Sequence, residues 1–290
     1  MSRPAALTLA ALKRHPLPPL EGGDKDGHGR LLIVAGSRDV PGAALLSALA
    51  AMRAGTGKLK IATVASIAPH LGVAMPEAMV VGMAEGRDGG IAESATAAIA
   101  ELAGKVDAVV AGPGMVPSRS CEQLAAKLCD GEAALALDAA MLRVLPRPAA
   151  RRRGKRPLVL LPHAGEMAAL LGCEESDVEA DPLGAGRECA EAYDATVLVK
   201  GAQSHVVASD GKAWKYAGGG PGLGVSGSGD VLAGIVGGLL ARGAAPLTAL
   251  LWGVCLHGEA GAALARKVGA IGFLARELPA EIPALMAKVQ

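Results

Sequence analysis

Short apolar runs recur along the chain and stop at glycine or polar turn residues. The first is Arg30–Ala35 (RLLIVA), which ends at Gly36-Ser37. Lys58–Val64, Asp107–Ala111, Ala133–Leu137, Pro157–Leu161 and Thr196–Val199 follow, each of strand length. Helical stretches lie between them: Gly42–Ala54 with Pro41 just before it, Ile91–Leu102, and Ala164–Leu171 with Gly172 as its stop. Strands alternating with helices predict a parallel sheet covered on both faces. The pattern changes after residue 203. Ser204–Ala208 and Lys212–Tyr216 flank Ser209-Asp210-Gly211, and Asp-Gly between two β-prone runs predicts a hairpin. A Gly-rich loop and two apolar helices, 229–242 and 247–267, fill the last third. No repeat or linker divides the chain, so one α/β domain over 1–290 is expected.

Composition narrows the class. Apolar residues make up 51% of the 290 positions and aromatics only 2%, so a full core can form but Ala, Leu and Val must build it. A net charge of +1 offers no general field for nucleic acid or an anionic membrane. The cysteines at 121, 129, 173, 189 and 255 form no C-x-x-C pair and are odd in number. That argues against a disulfide framework or zinc site and for a reducing, cytoplasmic setting. No apolar run approaches the roughly 20 residues of a membrane helix; the longest, Val231–Ala241, is too short. Pro4–Leu12 faintly mimics a signal sequence but runs into Lys13-Arg14-His15 with no small-residue cleavage site, so secretion is not expected. The basic stretch Arg147–Arg156 has no interleaved aromatics and reads as a solvated loop, not a polyanion-binding patch.

The chemistry concentrates in Ala217–Ala241 (AGGGPGLGVSGSGDVLAGIVGGLLA), where Asp230 is the first and only charged residue. It heads a helix that is apolar all round, and a lone carboxylate there is costly unless paired or hydrogen-bonded. The N–H groups of Gly227, Ser228 and Gly229, with the positive end of the helix dipole, suit an anion hole for a transferring phosphoryl group. Asp230 then faces the attacking hydroxyl and accepts its proton. The plain alternative is an Asp that caps its own helix. Gly234, Gly237 and Gly238 share a helix face that suits close approach by a ligand or a neighbouring helix. Two tempting strings fail on context. Gly222-x-Gly224-x-x-Gly227 follows a glycine run where the dinucleotide fingerprint requires a strand. Gly57-Lys58 lacks the rest of a P-loop.

Ligands collect at the carboxyl ends of parallel strands. Gly112-Pro113-Gly114, Asp138, Pro162–Glu166 and Lys200–Ser204 all end strands, on the rim where the Asp230 loop is expected. Glu166 is a candidate to hold a Mg²⁺-bound water near nucleotide phosphates, against a plain first-turn helix acid. Lys200 is a candidate to neutralise phosphate, against a solvated strand end. His257, with Gly253 and Gly261 one turn away on each side, reads as packing or support.

These motifs together resemble the ADP/ATP-dependent NAD(P)H-hydrate dehydratases, a branch of the ribokinase-like fold, from about Gly29 to Pro283. The signatures are AGS at 35–37, PGAALLSALAAMRAG at 41–55, GPG at 112–114, LDAAML at 137–142, PHAGEMAALLG at 162–172, VKGAQS at 199–204, GSGDVLAG at 227–234 and LHG at 256–258. Each is weak alone; their order and spacing are specific. The resemblance implies a three-layer α/β/α sandwich and repair of hydrated nicotinamide cofactors, NADHX and NADPHX. ADP or ATP phosphorylates the C6 hydroxyl with Asp230 as base, and the ring nitrogen then expels phosphate. It places Lys200, Gly201, Ala202, Gln203, Ser204 and Gly229 at the nucleotide, and Ala43, Gly114, His163 and Asp230 at the hydrate. It also implies a homo-oligomer.

Two positions depart from the family pattern. Asp24-Lys25-Asp26-Gly27 stands where His-Lys-Gly is usual, which puts an N-terminal phosphate contact in doubt. Ala164 replaces a proline but leaves His163 and Glu166 in place. Many relatives carry an N-terminal epimerase domain; none is expected here, so epimerisation is expected from a separate protein. A kinase of a vitamin-precursor alcohol, of hydroxyethylthiazole or hydroxymethylpyrimidine type, would use the same Asp230 loop. PHAGE and PGAALL favour the dehydratase. A nucleotide sensor without turnover would not need Asp230. The residues leave ADP against ATP, and NADHX against NADPHX, open.

Overall fold

The alternating runs close into one ten-stranded sheet in the computed structural model, which describes residues 3–19, 27–147 and 158–289. Asp24–Asp26 and the basic stretch beyond Arg147 lie outside the described residues. The strands are β1 (Ala5–Ala6), β2 (Arg30–Val34), β3 (Lys58–Val64), β4 (Ala78–Met83), β5 (Ala108–Ala111), β6 (Ala134–Leu137), β7 (Leu158–Leu160), β8 (Thr196–Val199), β9 (Ser204–Val207) and β10 (Ala213–Tyr216). Their order is β1-β10-β9-β8-β7-β6-β5-β2-β3-β4, and every pairing is parallel except those of β9. The predicted hairpin is β9–β10. The chain leaves β2 toward one edge and returns through β5 toward the other, so β2 and β5 flank the switch point where such sheets open a crevice.

The helices form two contiguous layers. One gathers Gly42–Arg53, Ser228–Ala241, Pro246–Lys267 and Leu278–Ala287; the other runs from Thr96–Ala103 through Arg119–Cys129 and Ala164–Leu171 to Pro182–Tyr193. The expected sandwich is present. Gly172 ends its helix in the left-handed region at φ 72°, as its place in the sequence predicts.

Several elements have no clear mark in the hydrophobic pattern. β4 is a part-exposed edge strand whose Met79 is 58% exposed, so no buried run announces it. The Pro182–Tyr193 helix carries Gly184 and Gly186 inside, which weaken its signal, but Asp181 caps it by accepting from the Gly184 N–H at 2.8 Å. The expectation of no membrane-length segment is corrected. Pro246–Lys267 has 22 residues and is long and apolar enough to cross a membrane, its apolar string interrupted only by scattered polar side chains. Yet 72% of its most apolar window is buried within the fold, where it packs as a core helix.

Gly234 and Gly238 let the Ser228 helix lie directly on the Gly42 helix, while Gly237 meets Val110 of β5, so this face serves packing and not a ligand. A methyl at Gly234 would strike the Ser47 carbonyl oxygen, which is backbone and cannot swing away. Gly234→Ala is therefore expected to cost about 1–3 kcal/mol, measured as a lowered denaturant midpoint. An unchanged midpoint would show that the helices can part freely.

Candidate active site

The Ser228–Ala241 helix begins without a side-chain cap. Gly227 takes the N-cap position in the left-handed region at φ 88°, so the N-cap residue offers no side-chain acceptor to the first turn. Asp230 is thus not the cap of its own helix. The Ser228 N–H is spent on the Val225 carbonyl at 3.1 Å. Among the described residues, the N–H groups of Gly229 and Asp230 have no acceptor. The N–H groups left open at this helix start are thus those of Gly229 and Asp230, one residue later than the expected Gly227–Gly229 set, and Gly227 supplies the turn that aims them.

Asp230 sits part-buried behind them. Burial pushes its carboxyl up to about 6, Asp138 adds repulsion, and Lys200 opposes both. Asp138, at the end of β6, is 2% exposed and accepts from the Lys200 ammonium at 2.7 Å. The next residue, Ala139, holds φ 47° and ψ −118°, a strained conformation that turns the chain sharply after Asp138. Glu166 also approaches Lys200, at 3.7 Å. Burial alone would lower the Lys200 pKa, but Asp138, Glu166 and Asp230 outweigh it and the net shift is upward. Lys200 is therefore neither a solvated strand end nor a free cation. It is the shared counter-ion of three carboxylates.

His163 and Glu166 have a structural duty. The His163 Nδ1 accepts from the N–H groups of Gly165 and Glu166 at 3.1 and 3.4 Å, and Glu166 Oε2 accepts from the His163 N–H at 3.0 Å. This reciprocal pair caps the Ala164–Leu171 helix. It also holds Glu166 beneath the rim, only 4% exposed.

A cavity of about 860 Å³ opens beside this cluster. His163, Lys200, Gly201, Ala202, Ser204 and Gly229 line it, as do Ser228 and His257. Gln203 does not: its amide oxygen accepts from Lys215 at 3.0 Å on the exposed side. Ala43 and Gly114 meet at the switch point, where a methyl on Gly114 would lie 2.5 Å from the Ala43 Cβ. Ser47, one turn after Ala43, donates to the Asp230 carbonyl at 2.9 Å. The two halves of the expected site thus adjoin through the Gly42 helix.

A model of the NAD(P)H-hydrate dehydratase family matches residues 31–284. The chain belongs to this family. It is 47% identical to the ADP-dependent (S)-NAD(P)H-hydrate dehydratase of Xanthomonas campestris, over 98% of this chain and 96% of that one. It is 33% identical to a bifunctional NAD(P)H-hydrate repair enzyme of Moorella thermoacetica over 98% of this chain, but spans only 54% of that enzyme. A crystal structure of the ADP/ATP-dependent NAD(P)H-hydrate dehydratase from Bacillus subtilis, co-crystallised with ATP/Mg²⁺, superposes with TM-score 0.86 at 27% identity and full coverage of both chains. The architecture is ribokinase-like, as in other solved structures of similar shape.

Two residues of this dehydratase-family chain gain importance from the structure. Asp138 stands in a strand-end motif, but its pairing with Lys200 spans 62 positions and has no local signal. His257 reads in sequence as packing or at most support, and its ring reaches Ser228 at the start of the Ser228–Ala241 helix. Among the described residues no group of three or more His, Cys, Asp or Glu converges as a metal cage.

Proposed function

We propose that this protein dehydrates the S form of hydrated NAD(P)H, using ADP or ATP, and returns NAD(P)H with phosphate and AMP or ADP. The observation that carries the reading is Asp230, a part-buried carboxylate with a raised pKa, placed beside unpaired helix N–H donors and next in the chain to Ser228 and Gly229, which line a nucleotide-sized cavity. The cavity would take the nucleotide, with Lys200, Gly201, Ala202, Ser204 and Gly229 around it; Gln203, turned to Lys215, stands outside its wall. The switch point where Ala43 and Gly114 meet, with His163, would take the hydrated ring. Mg²⁺ would neutralise phosphate charge, with Glu166 reaching it through a water.

In the first step the C6 hydroxyl attacks the terminal phosphorus as Asp230 takes its proton. The Gly229 and Asp230 N–H groups and the Ser228 hydroxyl hold the transferring oxygens. In the second, the ring nitrogen lone pair expels phosphate from C6, and loss of a proton from the adjacent carbon restores the dihydronicotinamide. Phosphate leaves far more readily than hydroxide, which is why the nucleotide is consumed.

Phosphate release tests the reading. S-NADHX, Mg²⁺ and ADP or ATP are supplied, and one phosphate is expected for each nucleotide converted. An alcohol kinase would convert nucleotide but retain the phosphate on its product. The rate should also follow Asp230. The base must be ionised, so kcat/KM is expected to fall as pH drops through about 6. A flat profile from pH 5 to 8 would remove Asp230 from that role.

A separate epimerase that converts the R hydrate belongs to the same proposal; the bifunctional relatives, of which this chain spans about half, support it. A cytoplasmic location belongs to the same proposal, since an odd number of cysteines with no C-x-x-C pair argues against a disulfide framework. Homo-oligomerisation remains part of the proposal on the family resemblance.

A further inference from the structure

His257 lies mid-way along the Pro246–Lys267 helix, and its ring is enclosed except where it lines the nucleotide cavity. Its Nε2 stands 3.0 Å from the Ser228 hydroxyl and 3.0 Å from the Ser228 carbonyl oxygen. A carbonyl only accepts, so the proton is on Nε2. Burial, with Lys200 nearby, lowers its pKa to about 4, although the bond to Ser228 opposes this; the ring is therefore neutral near pH 7. A protonated Nε2 cannot accept from the Ser228 O–H. It donates to the carbonyl and meets the hydroxyl on its lone-pair side. The hydroxyl proton is then left to point away from His257, toward the cavity that Ser228 also lines.

We propose that His257 is a positioning residue: it fixes the Ser228 hydroxyl as a donor to the transferring phosphoryl group. The proposal rests on the phosphoryl-transfer reading of this site. His257 touches neither substrate nor nucleotide in this role; it acts through Ser228. A hydrophobic replacement would leave the hydroxyl free to rotate and the Ser228 carbonyl without its second donor. A replacement that keeps a side-chain N–H near the Nε2 position would retain both functions.

The test compares wild type with His257→Leu, His257→Gln, Ser228→Ala and the double variant His257→Leu/Ser228→Ala. Rates are measured with S-NADHX and nucleotide, and nucleotide affinity by calorimetry. The expected result is a fall in kcat of about 10–100-fold for His257→Leu, the scale of a hydrogen bond to a charged group. The KM for S-NADHX should change little. His257→Gln should recover most of the rate. The double variant should be no slower than Ser228→Ala, because the two residues act as one unit. His257→Leu within twofold of wild type, no rescue by Gln, or losses that multiply would each overturn the proposal. If wild type binds nucleotide but does not convert S-NADHX, the dehydratase reading fails instead. The positioning role is then judged on nucleotide affinity, where the losses must again fail to multiply; independent losses would overturn it.

Discussion

Asp230→Asn is expected to lower kcat by about 10²–10⁴-fold, the range for loss of a general base. Nucleotide binding should survive, because the Gly229 and Asp230 N–H groups and the Ser228 hydroxyl do not depend on the carboxylate. The same variant should be more stable than wild type at neutral pH. Asp230 has a folded pKa near 6 against an ordinary 3.8, so the folded state favours its protonated form. Below pH about 4 the carboxyl is protonated in both states and costs nothing. As pH rises through about 6, the folded protein must carry a part-buried anion next to Asp138, and stability falls. Asn removes that cost. A gain of about 1–2 kcal/mol at pH 7.5, vanishing near pH 4, is expected from denaturant titration. A less stable variant at neutral pH would mean that the attraction of Lys200 outweighs the burial cost of the Asp230 carboxylate, contrary to the account.

Lys200→Met should have the largest effect on stability. It strips the 2.7 Å counter-ion from Asp138, whose side chain is 3% exposed, and the nearest cation from Glu166, whose side chain is 6% exposed. Breaking a buried ion pair from one side typically costs about 3–5 kcal/mol, because the remaining charge has nowhere to go. The cost should shrink when Asp138→Asn is added, since the orphaned charge is then removed as well. Lys200 is also the one group that lowers the Asp230 pKa, so in any folded fraction the pH–rate inflection should move above about 6. An unchanged inflection would separate Lys200 from the catalytic carboxylate.

The sequence carried the scaffold where the signal is local. Lys58–Val64 and Thr196–Val199 are strands at the expected bounds, because each is a buried run bordered by turn residues. Gly172 and the Asp210-Gly211 turn were legible for the same reason. Asp230 stood out because a charge in an otherwise apolar stretch has a physical cost that needs an explanation. The remaining features depend on tertiary contact. Asp138 and Lys200 lie 62 residues apart, and only the order of β6, β7 and β8 brings them together. Ser228 and His257 lie 29 residues apart and meet because two helices pack side by side. His163 illustrates the opposite difficulty. A lone histidine there reads more often as structural and only the family resemblance placed it at the hydrate; the structure shows that it caps a helix while also lining the cavity. The open helix N–H groups lie one residue later than expected because the Ser228 N–H is consumed by the loop itself, a bond visible only once the Val225 turn is formed.

The central claim is that Asp230 starts a nucleotide-driven dehydration. The most direct test is the return of the dihydronicotinamide absorbance band when purified protein is mixed with S-NADHX, Mg²⁺ and ADP or ATP, with Asp230→Asn measured in parallel. The account predicts nucleotide-dependent recovery of the band with wild type and almost none with the variant. No recovery from folded wild-type protein that binds nucleotide, or equal recovery by the two proteins, would contradict it.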